Sequence, residues 1–152
     1  MMKSNAQIIT DLKDLVQIVN DGKEGFKVAA EATNDQFLKD LFMQKITERN
    51  IYEDELKFQI LRLGEIAENE KGGLIGILHR TWLEIKDALK ARDDAAILAA
   101  VKISEQAALV KYDYYLAESE EVEDYFSILL RQRAGVLNTL KEVEELHQQF
   151  TN

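Results

Sequence analysis

Residues 36–63 read QFLKDLFMQKITERNIYEDELKFQILRL, and this stretch decides the fold of the chain. It contains neither Gly nor Pro and predicts one long helix. At about 100° per residue, one side of that helix is apolar at both ends and polar in the middle. This predicted inner face consists of Leu38, Leu41, Lys45, Glu48, Tyr52, Glu55, Gln59 and Leu63. The other helices are therefore expected to pack around a polar centre.

The composition of the chain favours long helices and excludes several classes of protein. The 152 residues include no Pro and predict a single domain over residues 1–152. The absence of Cys excludes disulfides and thiolate metal sites. A net charge of -9 argues against binding to nucleic acid or to anionic membranes. Without a signal-peptide pattern or a run of about 20 apolar residues, a cytoplasmic protein is expected.

Four long helices and one shorter helix follow from the spacing of apolar residues and from capping residues. The predicted helices, with their capping residues, are 5–33 (Ser4 or Asn5), 36–63 (Asn34-Asp35), 74–91, 94–117 (Asp93-Asp94) and 120–150 (Ser119). The best loop in the sequence is the charged, glycine-bearing segment 64–73.

The lengths of the connections predict how these helices are arranged. Short turns join the first helix to the second and the fourth to the fifth, so each pair is expected to be an antiparallel hairpin. A long connection that contains the short helix 74–91 joins the two hairpins. This order predicts an all-α, ferritin-like four-helix bundle with a short extra helix in the crossover. An up-and-down bundle of five helices is the alternative topology.

Bundles of this kind often hold two metal ions between Glu residues and Glu-x-x-His pairs on facing helices. Glu48, Glu55 and Glu105 are the candidate ligands near the middle of the bundle. Glu144 and His147 have the Glu-x-x-His spacing but fall near the end of the last helix. If these residues form a site, their oxygen and nitrogen donors would suit iron, manganese or zinc.

Cationic residues occur in the same region and favour a different interpretation. Arg49 adjoins Glu48, and counting outward from the turn near Ser119 places Glu105 level with Arg133 on the next helix. Buried carboxylates need partners, and a neighbouring cation would repel a metal ion. We therefore predict a buried polar network without catalytic residues or a cofactor. Its members are Lys45, Glu48, Arg49, Tyr52, Glu55, Glu105, Tyr112 and Arg133. The alternatives are an occupied metal site and charges that reach solvent along their apolar stems.

Several segments resemble a bacterial family of ferritin-like four-helix-bundle proteins. They are DGKEGFKVAAE (21–31), ILRLGE (60–65), LHRTWLEIKDAL (78–89) and EQAALVKYDYYL (105–116). Members of that family are mostly called domains of unknown function, and some are linked to stress responses. The resemblance covers roughly residues 6–147 and implies a ferritin-like fold, a cytoplasmic location and often a dimer. Relatives often have His where this chain has Leu140 and a polar residue near Gly135, so candidate ligands are missing here.

These patterns favour a non-catalytic bundle that acts through protein contacts or self-association, without enzymatic activity. The resemblance implies an association with stress responses and a homodimer, and a protein partner of unknown identity is also expected. Tyr114 faces outward in the predicted fourth helix and is a candidate dimer contact. The alternative function is a metal-binding protein of the ferritin-like type with oxidase or storage activity.

Overall fold

Four helices make up the described part of the protein. The structure is a computed structural model that describes residues 3–67 and 93–151. The helices are α1 (Asn5–Ala32), α2 (Gln36–Arg62), α3 (Asp94–Ala117) and α4 (Asp124–Thr151). The all-helical class is thereby confirmed, whereas the predicted helix 74–91 lies outside the described residues. None of the described helices is long and apolar enough to cross a membrane.

Polar side chains cap the starts of the first three helices as predicted. Ser4 and Gln7 form a capping box at α1, each side chain bonded to the backbone of the other. Asp35 accepts a hydrogen bond from the backbone of Leu38 at α2, and Asp93 caps α3 in the same manner. Each cap satisfies backbone N–H groups that have no partner within the helix.

The predicted cap of the last helix is wrong. We expected Ser119 to begin that helix, but α4 begins at Asp124. The Ser119 hydroxyl instead donates a hydrogen bond to the backbone carbonyl of Tyr115 in the last turn of α3. A serine between two helices can serve either end, and here it satisfies a carbonyl at the end of the preceding helix.

The helices lie at the corners of a square. α1 packs against α2 and α3, and α4 packs against the same two helices, so α2 and α3 occupy opposite corners. The Thr33 hydroxyl donates to Asp94 at 2.6 Å, which joins the end of α1 to the start of α3. The ion pair between Arg62 and Asp124, at 2.9 Å, joins the end of α2 to the start of α4. α1 and α3 are therefore antiparallel, and so are α2 and α4.

The end of α2 and the start of α3 lie at opposite ends of the bundle. Lys13, near the start of α1, pairs with Glu65 just beyond α2 at 2.8 Å. Asp94, at the start of α3, instead contacts Thr33 beyond the end of α1. The first hairpin therefore ends, and the second begins, at opposite ends of the bundle, as the predicted long connection between them requires.

Two apolar clusters fill the interior, one towards each end. The cluster around the start of α1 includes Leu12, Leu15, Leu56, Ile60, Tyr112 and Leu129. The cluster around the end of α1 includes Phe26, Leu38, Phe42, Ile97, Leu98 and Val143. A layer of buried polar side chains lies between the clusters, and the candidate site is built on it.

Candidate functional site

The buried face of α2 differs in phase from the predicted face. Phe42, Ile46, Leu56 and Ile60, which the prediction left out, are buried. Lys45, Glu48 and Glu55 are only partly buried and lie at the edge of the interior. The prediction erred because α2 carries apolar residues on both sides, so its sequence does not define one apolar stripe. The charge at the centre of the buried face therefore belongs to Arg49.

Arg49 forms a two-pronged ion pair with Glu105 of α3. Its Nη1 donates to Oε1 of Glu105 at 2.9 Å, and its Nη2 donates to Oε2 at 2.7 Å. The two side chains are 2% and 1% exposed, so the pair is almost fully removed from water. Because α2 and α3 lie at opposite corners, the pair crosses the diagonal of the bundle. Paired hydrogen bonds of this kind are strong and fix the relative orientation of both groups.

The surroundings of Arg49 match a permanent positive charge. The guanidinium carbon lies 5.4 Å from the ring centre of Phe26 and 5.8 Å from that of Tyr52. The Nε of Arg49 contacts an oxygen of Glu48 at 3.3 Å. Burial opposes the charge, but attraction to Glu105 and Glu48 outweighs it and raises the pKa of Arg49. The guanidinium therefore stays protonated at the centre of the bundle.

Gln132 of α4 joins three helices, and the sequence interpretation missed it. Its Nε2 donates to the backbone carbonyl of Tyr52 and to Glu55, both at 3.1 Å. Its Oε1 accepts a hydrogen bond of 2.6 Å from the hydroxyl of Tyr112. Burial raises the pKa of Tyr112, so this phenol keeps its proton and acts as a donor. The available signal was the place of Gln132 between Leu129 and Val136 on the apolar stripe of α4.

Gly135 leaves room for the ring of Tyr52. A Cβ atom placed on Gly135 would lie 1.8 Å from the hydroxyl oxygen of Tyr52 and 3.0 Å from its Cζ. Any larger residue at position 135 therefore requires Tyr52 to move. Burial raises the pKa of Tyr52, with a further contribution from Glu48. The contact explains why a glycine can occupy the interior of α4 despite its low helix propensity.

The predicted pairing of Glu105 with Arg133 is wrong. Arg133 is bonded to Asp113 at the surface, and Glu105 is bonded to Arg49. The prediction compared neighbouring helices only, whereas the observed pair spans the diagonal. Arg133 points along the outer side of the α3–α4 hairpin, and its place in the interior is taken by Gln132.

Two other predicted members of the network form ion pairs at the rim of the interior. Lys45 pairs with Glu142 of α4 at 3.0 Å. Both oxygens of Glu55 accept hydrogen bonds from Arg131, and one of them also accepts the bond from Gln132. These charges lie partly in water, where an ion pair contributes about 0–1 kcal/mol.

The predicted metal ligands do not come together. Glu105 uses both oxygens on Arg49, and Glu48 and Glu55 are also bonded to arginines. Glu144 and His147 lie in the last two turns of α4, and the helix rises about 18 Å between Gln132 and Glu144. Within residues 3–67 and 93–151, no three His, Asp or Glu side chains are grouped as a metal ion requires. These donors do not fit a two-metal centre, because a guanidinium occupies its middle.

Asp21 of α1 is a further buried charge that the sequence did not reveal. The residue is 3% exposed, and its Oδ2 has no hydrogen-bond partner in the part of the chain that the structure describes. Burial, with a smaller contribution from Glu24, raises the pKa of Asp21 to about 6. Such a carboxyl is half-protonated near pH 6 and mostly ionised at neutral pH, where its burial without a partner makes it a destabilising position.

Comparisons with known proteins give a family for this chain but no activity. The sequence model of the family described as Domain of unknown function (DUF2383) matches residues 7–118. A search of curated proteins and a search of solved structures each found no match. The matched range contains α1, α2 and α3, and with them both members of the Arg49–Glu105 pair.

Proposed function

We propose that this chain, which belongs to the DUF2383 family, is a non-catalytic helical bundle that acts through protein contacts or self-association. The observation that carries the proposal is the pairing of Glu105 with Arg49. Both oxygens of the most buried candidate ligand are bonded to a guanidinium that lies across the bundle. The central layer is therefore assigned a structural role.

The proposed fold is ferritin-like and forms a single domain. Two antiparallel hairpins support this assignment, because the end of α2 and the start of α3 lie at opposite ends of the bundle. We also propose a cytoplasmic location and an association with stress responses, which the resemblance found in the sequence supports. Fold and activity are separate properties, and many folds of this type support unrelated functions.

The competing function is binding of iron, manganese or zinc for oxidation or storage. It requires Glu105 to leave Arg49 and to join Glu48 and Glu55 as a ligand. That change would place an unpaired guanidinium beside a divalent cation in a buried layer, which is costly. The pairing seen in the structure therefore favours the structural role over this alternative.

The test is to measure metal content per chain by elemental mass spectrometry. The protein is purified without a metal-affinity tag or chelator, and a second sample is soaked in ferrous, manganous and zinc salts. We expect less than stoichiometric metal, and the same content in Glu105→Gln, which keeps the shape of the side chain. Near-stoichiometric metal in the wild type that is lost in Glu105→Gln would overturn the proposal.

A further inference from the structure

α3 carries a second apolar stripe, on the side that faces away from the interior. It consists of Ile103, Val110, Tyr114 and Ala117, which lie within about 60° of one another at about 100° per residue. Each of them lies at least about 120° from Glu105, which points into the bundle. Val110 and Tyr114 are 66 and 58% exposed, so the stripe reaches solvent along the second half of α3.

α4 carries a similar apolar stripe on its own outer side. It consists of Phe126, Leu130 and Leu137, which lie within about 40° of one another and at least about 120° from the buried Gln132. Leu130 is 48% exposed, and Phe126 and Leu137 are partly buried. Isolated apolar residues on a surface are ordinary, but stripes on two adjacent helices require an explanation.

An ion pair between the two stripes shows that they form one surface. Asp113 of α3 and Arg133 of α4 are bonded to each other, and each lies about 60° from the most exposed large apolar residue of its own stripe. The stripes therefore flank this pair on the outer side of the hairpin, and we call this surface the hairpin face. It measures about 27 Å from Ala99 to Ala117 and about 20 Å across the two helices. Two such faces together outline about 1,100 Å², which is close to the least area that a specific interface buries.

The hairpin face has nearly balanced charges, unlike the rest of this acidic chain. It carries or borders three cations and two anions, namely Lys102, Arg133 and Lys141 against Asp113 and Glu144. The whole chain has a net charge of -9, so the excess of acid lies elsewhere. The outer face of α2 exposes more large apolar residues, but its exposed charges are mainly acidic. Two acidic copies therefore repel each other less through the hairpin face than through the outer face of α2.

The two ends of the hairpin face carry opposite charge. The contacts between α3 and α4 place Lys102 and Lys141 at nearly the same level, within about 3 Å along the helix axes. These two cations exceed the one anion beside them, Glu144, by a single charge. The turn 118–123 at the other end contains four glutamates and no cation. The face therefore has a weakly cationic end and a strongly acidic end.

An antiparallel pairing of two copies, with α3 against α3, brings the opposite ends together. Val110 lies eight residues from both Lys102 and Glu118, so a pairing centred on Val110 sets these two residues of different copies level. Asp113 then lies level with Ala107 of the other copy, so like charges do not meet in the middle. A parallel pairing would instead place the two acidic turns side by side. The antiparallel pairing has the self-complementarity that a twofold interface requires.

We infer that two copies of this chain associate through the hairpin face in antiparallel orientation. The inference rests on the proposed function, since it names the surface that self-association would use. The occupant is a second copy, because the acidic turn of each copy complements the cationic end of the other. An anionic membrane would be repelled by that turn and by the remainder of the acidic chain.

The first test is sedimentation velocity of the full chain over about a hundredfold range of concentration. We compare Val110→Glu/Leu130→Glu with the matched control Ile51→Glu/Phe58→Glu on the outer face of α2. The control residues are 54 and 58% exposed, and both double variants add the same charge. We expect a dimer in the wild type and the control, and a dissociation constant at least about 100-fold higher in the hairpin variant. Circular dichroism establishes that each variant is folded. If the glutamates prevent folding, Val110→Ala/Leu130→Ala replaces them and should weaken the dimer about tenfold.

The second test exchanges charges at the two ends of the hairpin face. Lys102→Glu/Lys141→Glu makes both ends acidic, and Glu121→Lys/Glu123→Lys removes the excess of acid from the turn. Each variant alone should self-associate about tenfold more weakly, because neither keeps the attraction between opposite ends. An equimolar mixture of the two should associate more tightly than either variant alone, because the turn of one then meets an end of opposite charge on the other.

A monomeric wild type at every concentration would overturn the inference and leave the hairpin face to a different partner. Dissociation of the α2 control to the same extent as the hairpin variant would also overturn it. A mixture that associates no more tightly than its two components would contradict the antiparallel pairing. None of these results depends on metal content, so this inference can fail while the test of the proposed function succeeds.

Discussion

α1 and α2 are the two arms of one hairpin, yet they distribute their side chains differently. α1 buries an almost wholly apolar face, with Asp21 as its exception. α2 buries Arg49 and Glu53 while it exposes five large apolar residues. The buried face of a helix can be predicted from its sequence when the apolar residues lie on one side, as in α1. It cannot be predicted in this way when the buried side includes polar residues and the exposed side includes apolar ones, as in α2.

The largest expected loss of stability comes from removing one partner of the buried ion pair between α2 and α3. Glu105→Ala removes both short hydrogen bonds of the buried Arg49, leaves it only the contact with Glu48 at 3.3 Å, and should reduce the free energy of unfolding by about 3–5 kcal/mol. Urea unfolding followed by circular dichroism measures this loss. The double variant Arg49→Met/Glu105→Leu should lose far less than either single replacement, because it leaves no unpaired charge. Equal losses in the single and double variants would contradict the assignment.

A smaller loss should follow from filling the space beside Tyr52. The Cβ of Gly135→Ala would lie 1.8 Å from the Tyr52 hydroxyl oxygen. We expect a destabilisation of about 1–3 kcal/mol, although alanine is the better helix former. Tyr52→Phe in the Gly135→Ala background should restore part of the loss, since the nearest atom is then 3.0 Å away. A Gly135→Ala variant that is as stable as the wild type would refute the close contact.

Asp21, the one buried acid of α1, should make the free energy of unfolding depend on pH. Because the folded pKa of Asp21, about 6, exceeds its ordinary value of 3.8, the folded state binds this proton more tightly. The stabilising contribution of that proton is complete below about pH 3.8 and is lost as the pH rises through about 6. Asp21→Asn should therefore raise the free energy of unfolding by about 1–3 kcal/mol at pH 7.

Urea unfolding of both proteins at pH 7 and at about pH 4 separates this effect from a general change in packing. At the lower pH the difference between Asp21→Asn and the wild type should nearly vanish. A gain of the same size at both values would mean that the titration of Asp21 is not its cause.

The smallest expected effect is a gain in stability when Gly22 of α1 is replaced by alanine. A Cβ on Gly22 would lie 3.9 Å from Nη1 of Arg49, which is an ordinary contact. Gly22→Ala should therefore raise the free energy of unfolding by about 0.5–1 kcal/mol through helix propensity. Gly64→Ala is the control, because φ at Gly64 is 99° and the same replacement there should destabilise. A loss in Gly22→Ala would show that the helices need that glycine.

The sequence predicts the helices well and the polar layer only in part, for a physical reason. Apolar spacing and caps are local properties, so α1, α2 and α3 begin and end close to the predicted residues. The choice of Arg49 as the partner of Glu105 depends on which helices face each other across the diagonal. Gln132 was overlooked because its place on the apolar stripe indicates burial but does not show which groups on other helices it bonds to.

The diagonal ion pair also limits how the helices can slide along one another. A slip of α2 by one turn would move Arg49 by about 5.4 Å along its axis, away from Glu105. The apolar clusters on either side define the alignment less strictly, because the attraction between apolar side chains is not directional. The charges could not, since each would be left alone between two apolar regions. We therefore expect the Arg49–Glu105 pair to fix the register of α2 relative to α3, which the apolar contacts alone would define less strictly.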